Sequence, residues 1–328
     1  MNIPFGSRTE VMQHLEGFVS QSILKFLKPI DTNWQPADFL PDSSSENFAQ
    51  EIKLIQEQAR GLSYDTLAIL VGDTITEEAL PTYESWLFCV DGVNPVPSQN
   101  NPWKQWVKRW TAEENRHGDL LNRYLYLSGR INMREFETST QYLIADGFDI
   151  ETGKDPYRNF IYTSFQELAT NISHRRVATL AKQQGDIRLS KICGVIAADE
   201  ARHAKAYAAF IDEIFKIDPS QMMLAFEDMM RKKIVMPAHF LRETGMQVGD
   251  LWGHFTDAAQ RLGVYTATDY ANILRDLNQN WQIDKISSLT DQAEKARDYL
   301  MALPDRLNRV AERMKTPQLE YQFKWIAV

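Results

Sequence analysis

The chain has 328 residues, 44% hydrophobic and 24% charged, with a formal net charge of −8; that is enough for a large core, and the acidic balance argues against nucleic acid as a main partner. No uninterrupted apolar run approaches the roughly 20 residues of a membrane helix, and the N-terminus, MNIPFGSRTEVMQHLEGF, lacks the basic-then-apolar order of a secretory signal. The two cysteines, Cys89 and Cys193, form no CxxC and no zinc spacing, so the expectation is no membrane insertion and a soluble, reducing, cytoplasmic setting, or a plastid stroma if a transit peptide has been removed.

In chain order, apolar residues at three- and four-residue spacing predict helices over 8–28, 47–60, 63–90, 103–129, 132–145, 157–184, 186–215, 219–242, 249–262, 266–283 and 288–313. The breakers are PDSSSEN at 41, DGVNPVPSQNNP at 91, DGFDIETGKDP at 146 and DPS at 218. Asp155-Pro156 supplies a start residue and a helix-first proline before 157. Pro81 sits inside the 63–90 segment, four residues after Glu77, and removes an N–H from the helix ladder, so a kink is expected there. There is no nucleotide-binding glycine fingerprint and no linker-like shift in composition. The expectation is one all-α domain over 1–328: an N-terminal segment 1–46, a core 47–215 and additional helices 216–328.

Two phrases in the core nearly repeat: EENRHG at 113–118 and DEARHA at 199–204. Residues three apart share a helix face, so Glu114 with His117, and Glu200 with His203, each offer an oxygen and a nitrogen ligand on adjacent turns. Carboxylate plus imidazole without thiolate suits iron or manganese. Four-helix bundles with two-metal carboxylate centres use two such helices and one Glu from each of two more. Glu77 lies 37 residues before Glu114, and Glu167 lies 33 residues before Glu200. Glu78 could replace Glu77 on spacing; the parallel with Asp199–Glu200 selects Glu114 over Glu113. One Glu-x-x-His on a solvated face is common, but two copies with matching flanks point to a metal centre. Glu113 and Asp199 are then placed to orient a histidine across the bundle, with a surface ion pair to a neighbouring Arg as the other reading.

Thr170, three residues after Glu167, faces the same interior; it could relay a proton or simply bond back to its own helix. His174 is about 10.5 Å along the axis from Glu167, too far to share its metal. His14, His239 and His254 are read as structural or surface residues.

The phrases VGDTITEEALPTY, WTAEENRHGDLLNRYLYLSGR, FIYTSFQELAT, DEARH, DMMRKKIVMPAH and QRLGVYTATDY closely resemble the soluble acyl-[acyl-carrier-protein] desaturases, the stearoyl-ACP Δ9 family of plants and bacteria. The resemblance runs from NWQPADFLPD to FKWIA, nearly the whole chain. It implies a homodimer whose subunit is a ferritin-like four-helix diiron bundle within a larger helical bundle. It also implies O2-dependent insertion of a cis double bond into an acyl chain on acyl carrier protein, with electrons from ferredoxin. Carried over by motif, the ligands of the two iron ions are Glu77, Glu114, His117, Glu167, Glu200 and His203. Thr170 matches the active-site threonine. Trp34, Asp199 and Trp110 match residues near the iron on the electron-entry side, and Lys28 matches a basic position facing the carrier protein.

The resemblance also implies a substrate channel past Trp86, Val90, Ile150 and Asn159. Trp86 stands where Met is familiar, Ile150 where Pro is, and Asn159 where Gly is. Bulk at a blind end shortens the chain accepted, so a C16 or shorter substrate is favoured over C18. An unactivated C–H requires an oxidant drawn from metal and O2. With no cysteine cluster and no nucleotide fingerprint, the electrons must come from an external carrier. An acidic carrier protein needs a basic patch, for which Arg231, Lys232 and Lys233, or Lys25 and Lys28, are candidates. The competing function is ferritin-like iron storage or peroxide scavenging.

Overall fold

Helix starts follow from the sequence: Ser63, Asn101, Asp155, Asp186 and Thr266 each accept, through the side chain, a backbone N–H of the first turn that would otherwise lack a partner. The computed structural model describes residues 6–96, 99–315 and 321–327. Residues 97–98 of the breaker at 91 lie outside the described residues. The helices are α1 (Arg8–His14), α2 (Glu16–Phe18), α3 (Phe48–Ala59), α4 (Tyr64–Glu78), α5 (Leu80–Phe88), α6 (Pro102–Ser128), α7 (Met133–Asp146), α8 (Pro156–Gln183), α9 (Ile187–Ile217), α10 (Pro219–Lys232), α11 (Trp252–Leu262), α12 (Ala267–Asn280) and α13 (Asp291–Ala311). Among the described residues no strand forms, only an isolated bridge between Ile131 and Ile326.

The centre is a four-helix bundle of α4, α6, α8 and α9. Helices α8 and α9 form the most extensive pair, and α6 packs on both α4 and α9. Both motif helices are amphipathic: α6 buries Trp103, Trp106, Trp110, Leu120 and Leu121, and α9 buries Ile192, Ile196, Tyr207 and Phe210. The aromatic rings lock beside the motifs, Trp106 and Trp103 meeting Phe210 at 5.5 and 4.9 Å between centroids. Around this core, α11 lies on α4, α10 and α12 on α8, and α13 on α10 and α12.

Three expected helices differ. The 8–28 segment breaks into α1, α2, a π-turn at Val19–Ile23 and a 3-10 turn at Leu24–Phe26. The 63–90 segment does more than kink: α4 ends at Glu78, and Pro81 lies in the first turn of α5, where a missing N–H costs nothing. The 219–242 segment stops at Lys232. Lys233 turns to φ 65°, and Met236, forced extended by the proline after it, leads into a 3-10 turn at Pro237–Phe240.

The chain end returns to the body. Trp325 is fully buried and its indole donates to Ser139 Oγ at 2.8 Å, while Asn132 N donates to the Trp325 carbonyl at 2.7 Å. The buried Glu243 carboxylate accepts from Tyr321 OH at 2.7 Å and from Lys324 N at 2.6 Å.

Candidate metal centre

Each helix of the bundle brings carboxylate or imidazole to one interior point: Glu77 from α4, Glu114 and His117 from α6, Glu167 from α8, Glu200 and His203 from α9. They form two overlapping groups. Ligand atoms of Glu77, Glu114, His117 and Glu200 lie within 4.8 Å of one another, and so do those of Glu114, Glu167, Glu200 and His203. Glu114 and Glu200 belong to both. Gly118 makes the approach of α6 to the end of α4 feasible, because a Cβ there would lie 2.9 Å from Glu78 Cγ and 3.2 Å from the Glu77 carbonyl carbon.

Both histidines turn Nδ1 inward. Nδ1 of His117 is 3.0 Å from Glu114 Oε2 and 3.1 Å from Glu200 Oε1; Nδ1 of His203 is 2.5 Å from Glu114 Oε1. These nitrogens, with Glu114 Oε1, Glu167 Oε2 and Glu200 Oε1, are buried and make no hydrogen bond. Buried polar atoms are normally satisfied. Lone pairs that converge without bonding one another are the arrangement a cation completes, and an all-oxygen-and-nitrogen set suits iron or manganese. The electrostatics agree. Burial, reinforced by the Glu200 and Glu114 carboxylates, pushes the Glu167 carboxyl well above its ordinary range. Burial also opposes the Glu114 charge, but the His117 and His203 imidazoles outweigh it and hold that carboxyl low. Like charges packed this closely in a dry site call for bound cations. The residues therefore fit metal ions, and the two groups offer a place for each of two.

Each outer nitrogen faces an acid of the opposite motif helix, His203 within hydrogen-bond reach and His117 at longer range. His203 Nε2 meets Glu113 Oε2, an acid of α6, at 2.9 Å; His117 Nε2 lies 3.6 Å from Asp199 Oδ2, an acid of α9. The motif arginines tie the same acids: Arg202 to Glu113 at 2.7 Å and to Asp199 at 2.6 Å, Arg116 to Asp199 at 3.0 Å. Each acid thus faces both a histidine and an arginine, and because Glu113 and Asp199 are buried these ion pairs lie in the interior and not at the surface. Trp34 joins from the N-terminal segment. Its indole donates to Asp199 at 2.9 Å, its ring stacks on His117 at 6.0 Å and 9°, and the Arg116 guanidinium lies over it at 4.2 Å. Lys28 meets this same layer: its Nζ donates to Asp199 at 3.3 Å and its backbone N to Glu113 at 2.7 Å.

On the inner side, Trp110 Nε1 donates to Glu167 Oε1 at 3.1 Å. The Thr170 hydroxyl donates to Glu200 Oε2 at 2.7 Å and also lies 3.2 and 3.1 Å from the carbonyls of Gln166 and Glu167, so it reaches both its own helix and the cluster. Glu78, the alternative to Glu77, points elsewhere and accepts from Asn122 at 2.5 Å.

A cavity of about 660 Å³ opens on the four carboxylates. Glu77, Glu114, Glu167, Glu200, Trp110 and Thr170 form its inner end; Leu80, Tyr83, Met236, Phe255 and Tyr270 line it further out; Lys233, Val310 and Met314 line it where they are exposed. Trp86, Val90, Ile150 and Asn159 are not among its lining residues. Trp86 packs edge-on against Tyr162 at 5.8 Å, one turn beyond the lining residue Tyr83. Val90, Ile150 and Asn159 are buried in the core. Lys28 is likewise outside the lining, whereas Lys233 is part of it.

Sequence reasoning missed His174. It is buried, and its Nε2 lies 2.9 Å from Glu77 Oε1. Spacing along α8 correctly separates it from Glu167, but the bond crosses to α4. Beside it Ser173 Oγ donates to Asp73 Oδ2 at 2.9 Å. Seven residues from Glu167 is two turns on the same face, a signal that it points inward but not toward what.

No helix among the described residues is long and apolar enough to cross a membrane. A family model described as fatty acid desaturase matches residues 7–327. The chain is 49% identical over 324 residues to stearoyl-[acyl-carrier-protein] 9-desaturase 1, chloroplastic, of Arabidopsis thaliana, covering 97% of this chain and 82% of that one. It is 47% identical to the chloroplastic stearoyl-[acyl-carrier-protein] 9-desaturase of Spinacia oleracea, over 97% and 80% of the two chains, and 49% identical to that of Ricinus communis, over 97% and 81%. Among solved structures it is similar in fold to a candidate acyl-ACP desaturase, DesA2, of Mycobacterium tuberculosis H37Rv, with TM-score 0.55 and 18% identity over 88% of this chain and 99% of that one. With one buried carboxylate–imidazole cluster inside a helical bundle and this kinship along nearly its whole length, the chain belongs to the fatty acid desaturase family.

Proposed function

We propose that this protein is an acyl-[acyl-carrier-protein] desaturase, an oxidoreductase that places a cis double bond, at Δ9, in a saturated acyl chain. The observation that carries this reading is the joining of two features: a largely apolar cavity ends on the carboxylates of a metal-fitting cluster. A storage or peroxide-scavenging bundle has no use for a cavity of this kind.

Glu77 with His117, and Glu167 with His203, would each hold one iron, and Glu114 and Glu200 would be shared between the two. The irons supply the oxidising power, drawn from O2, that an unactivated C–H demands. The protein supplies the rest. The cavity walls hold the chain in one register beside the cluster, which fixes where the double bond forms, and they exclude water. Thr170, on the cavity wall and bonded to Glu200, can carry a proton to that end. Trp34, stacked on His117 and tied to Asp199, supports electron entry from ferredoxin through that side, with Trp110 beside Glu167. We place the carrier-protein contact at Arg231, Lys232 and Lys233, an exposed basic run that reaches the cavity lining at Lys233, with Lys28 as the second basic position. The active form is a homodimer.

Trp110 lies at the inner end of the cavity and Leu80 and Tyr83 line it next to the cluster, with Trp86 on the turn after Tyr83 packed against Tyr162. This bulk supports a C16 or shorter chain over C18; Val90, Ile150 and Asn159, buried in the core, are not part of that wall. The test is iron content together with ferredoxin-dependent O2 uptake and product analysis across acyl-ACPs of different length. Acyl-ACP-dependent turnover giving a C16 monoene is expected. Iron binding with turnover indifferent to acyl-ACP would favour storage, and a C18 preference would overturn the length assignment.

A further inference from the structure

The six candidate ligands are nearly two-fold symmetric, but what holds them is not. Glu77 and Glu167 occupy matching places at the two ends of the cluster. Glu167 is held by the Trp110 indole N–H at 3.1 Å, from the α6 turn before Glu114. Glu77 is held by His174 Nε2 at 2.9 Å, from α8 two turns beyond Glu167. Repeat logic places Ile196 opposite Trp110, and Glu84 opposite His174; an isoleucine cannot donate, and Glu84 lies beyond the break between α4 and α5. The asymmetry is therefore written into the residues themselves.

His174 is built to act as a brace. Its ring is almost entirely buried, Cys193 and Asp73 are the other polar groups acting on it, and the adjacent Ser173 is stitched to Asp73 one turn before Glu77. The ring has no room to swing, so the N–H fixes one oxygen of Glu77 and directs the other, Oε2, toward His117 Nδ1, 3.7 Å away.

We propose that His174 is a positioning residue for Glu77: by fixing that carboxylate it sets the affinity of the metal site shared by Glu77 and His117, and it makes this end of the centre distinct from the Glu167–His203 end. This rests on the metal-centre reading above and extends it to a residue outside the ligand set. An outer hydrogen-bond partner of a metal ligand is typically worth 10- to 100-fold in metal affinity.

The test is Co(II) titration of the apoprotein, followed by visible absorption and calorimetry, with no acyl substrate present. Wild type should take up two ions. His174→Phe should weaken one binding step by about 10- to 100-fold and leave the other within about threefold, and His174→Gln, whose amide can replace the N–H, should recover most of the loss. A cycle assigns the end: His174→Phe should add no further loss to Glu77→Ala but its full loss to Glu167→Ala, because only directly coupled sites depart from additivity. Loss at both steps equally, full additivity with Glu77→Ala, or unchanged binding in His174→Phe overturns the proposal. If the phenylalanine variant does not fold, the cycle is run with His174→Gln against His174→Asn, whose shorter amide falls short of Glu77: a step that weakens only in the asparagine variant supports the brace, and equal binding in both overturns it. Absence of Co(II) binding in wild type sinks the metal reading itself, a separate outcome.

Discussion

Replacing Asp199 with alanine should destabilise the protein and weaken its metal binding by separable amounts. Asp199 is fully buried and gathers Arg202 at 2.6 Å, Trp34 at 2.9 Å, Arg116 at 3.0 Å, Lys28 at 3.3 Å and His117 at 3.6 Å. Removing one partner of a buried ion pair costs about 3–5 kcal/mol. Arg202 keeps Glu113 and the Lys28 side chain is 43% exposed, so neither adds much; the cost is essentially that of stranding Arg116, about 3 kcal/mol. With an unfolding entropy of about 2.1 cal/mol/K per residue, roughly 0.7 kcal/mol/K for a chain of this length, Tm should fall by about 4 °C. Metal affinity should fall about 10- to 100-fold as His117 loses the carboxylate that faces its outer nitrogen, measured on the same apoprotein by titration. The stability loss has a pH signature. Burial opposes the Asp199 charge, but the His117 and Arg202 partners outweigh it and depress its carboxyl in the folded state. Its stabilisation is thus complete above the unfolded value near 4 and is lost as pH falls. Against Asp199→Asn, denaturant unfolding should show a gap that shrinks by about 1.2 kcal/mol between pH 7 and pH 3. A Tm within a degree of wild type for the alanine variant, or a gap that does not narrow in acid, would refute the reasoning.

Glu114→Ala and Glu200→Ala should each lower metal occupancy at both ends, because each belongs to both ligand groups, whereas Glu77→Ala should empty one; elemental analysis showing full occupancy for either shared glutamate breaks the assignment. Burial pushes the Asp73 carboxyl up to about 6, so its ionisation works against the fold as pH rises from about 4 through 6. Asp73→Asn should therefore stabilise the apoprotein at pH 8 and leave it unchanged at pH 4. The shift corresponds to about 3 kcal/mol in a dry site, and because Asp73 lines the cavity water reduces this to about 1–2 kcal/mol. Urea midpoints with the same wild-type-to-variant difference at both pH values would exclude it.

The cluster was legible because one helix face repeats every three or four residues: the spacing of Glu114 to His117 and Glu200 to His203 already places them together. The choice between Glu77 and Glu78 was not, since adjacent residues differ by about 100° around the axis and only the packing of α4 on α6 tells which points inward. Glu78 went to Asn122. His174 was illegible for a related reason, as its partner lies on another helix and the relative register of α4 and α8 is a tertiary fact. The cavity wall was hidden more deeply. Its outer residues come from the 233–239 segment, α11, α12 and the end of α13, and a wall assembled from four separate stretches leaves no local motif. Pro81 announced an interruption, but whether a helix bends or restarts depends on what packs beyond it.

The crosswise placing of Asp199 against His117 and of Glu113 against His203 makes the two halves of the bundle, the hairpin of α4 and α6 and the hairpin of α8 and α9, mutually dependent. Neither carries a histidine and that histidine's own acid on the same helix, so a hairpin expressed alone would hold an unsupported imidazole and half a ligand set. Two identical hairpins related by a two-fold axis would satisfy the same exchange, each lending its acid to the other. The arrangement is therefore one that a self-associating ancestral hairpin could already have closed, with fusion into a single chain fixing the pairing and freeing the two ends to diverge.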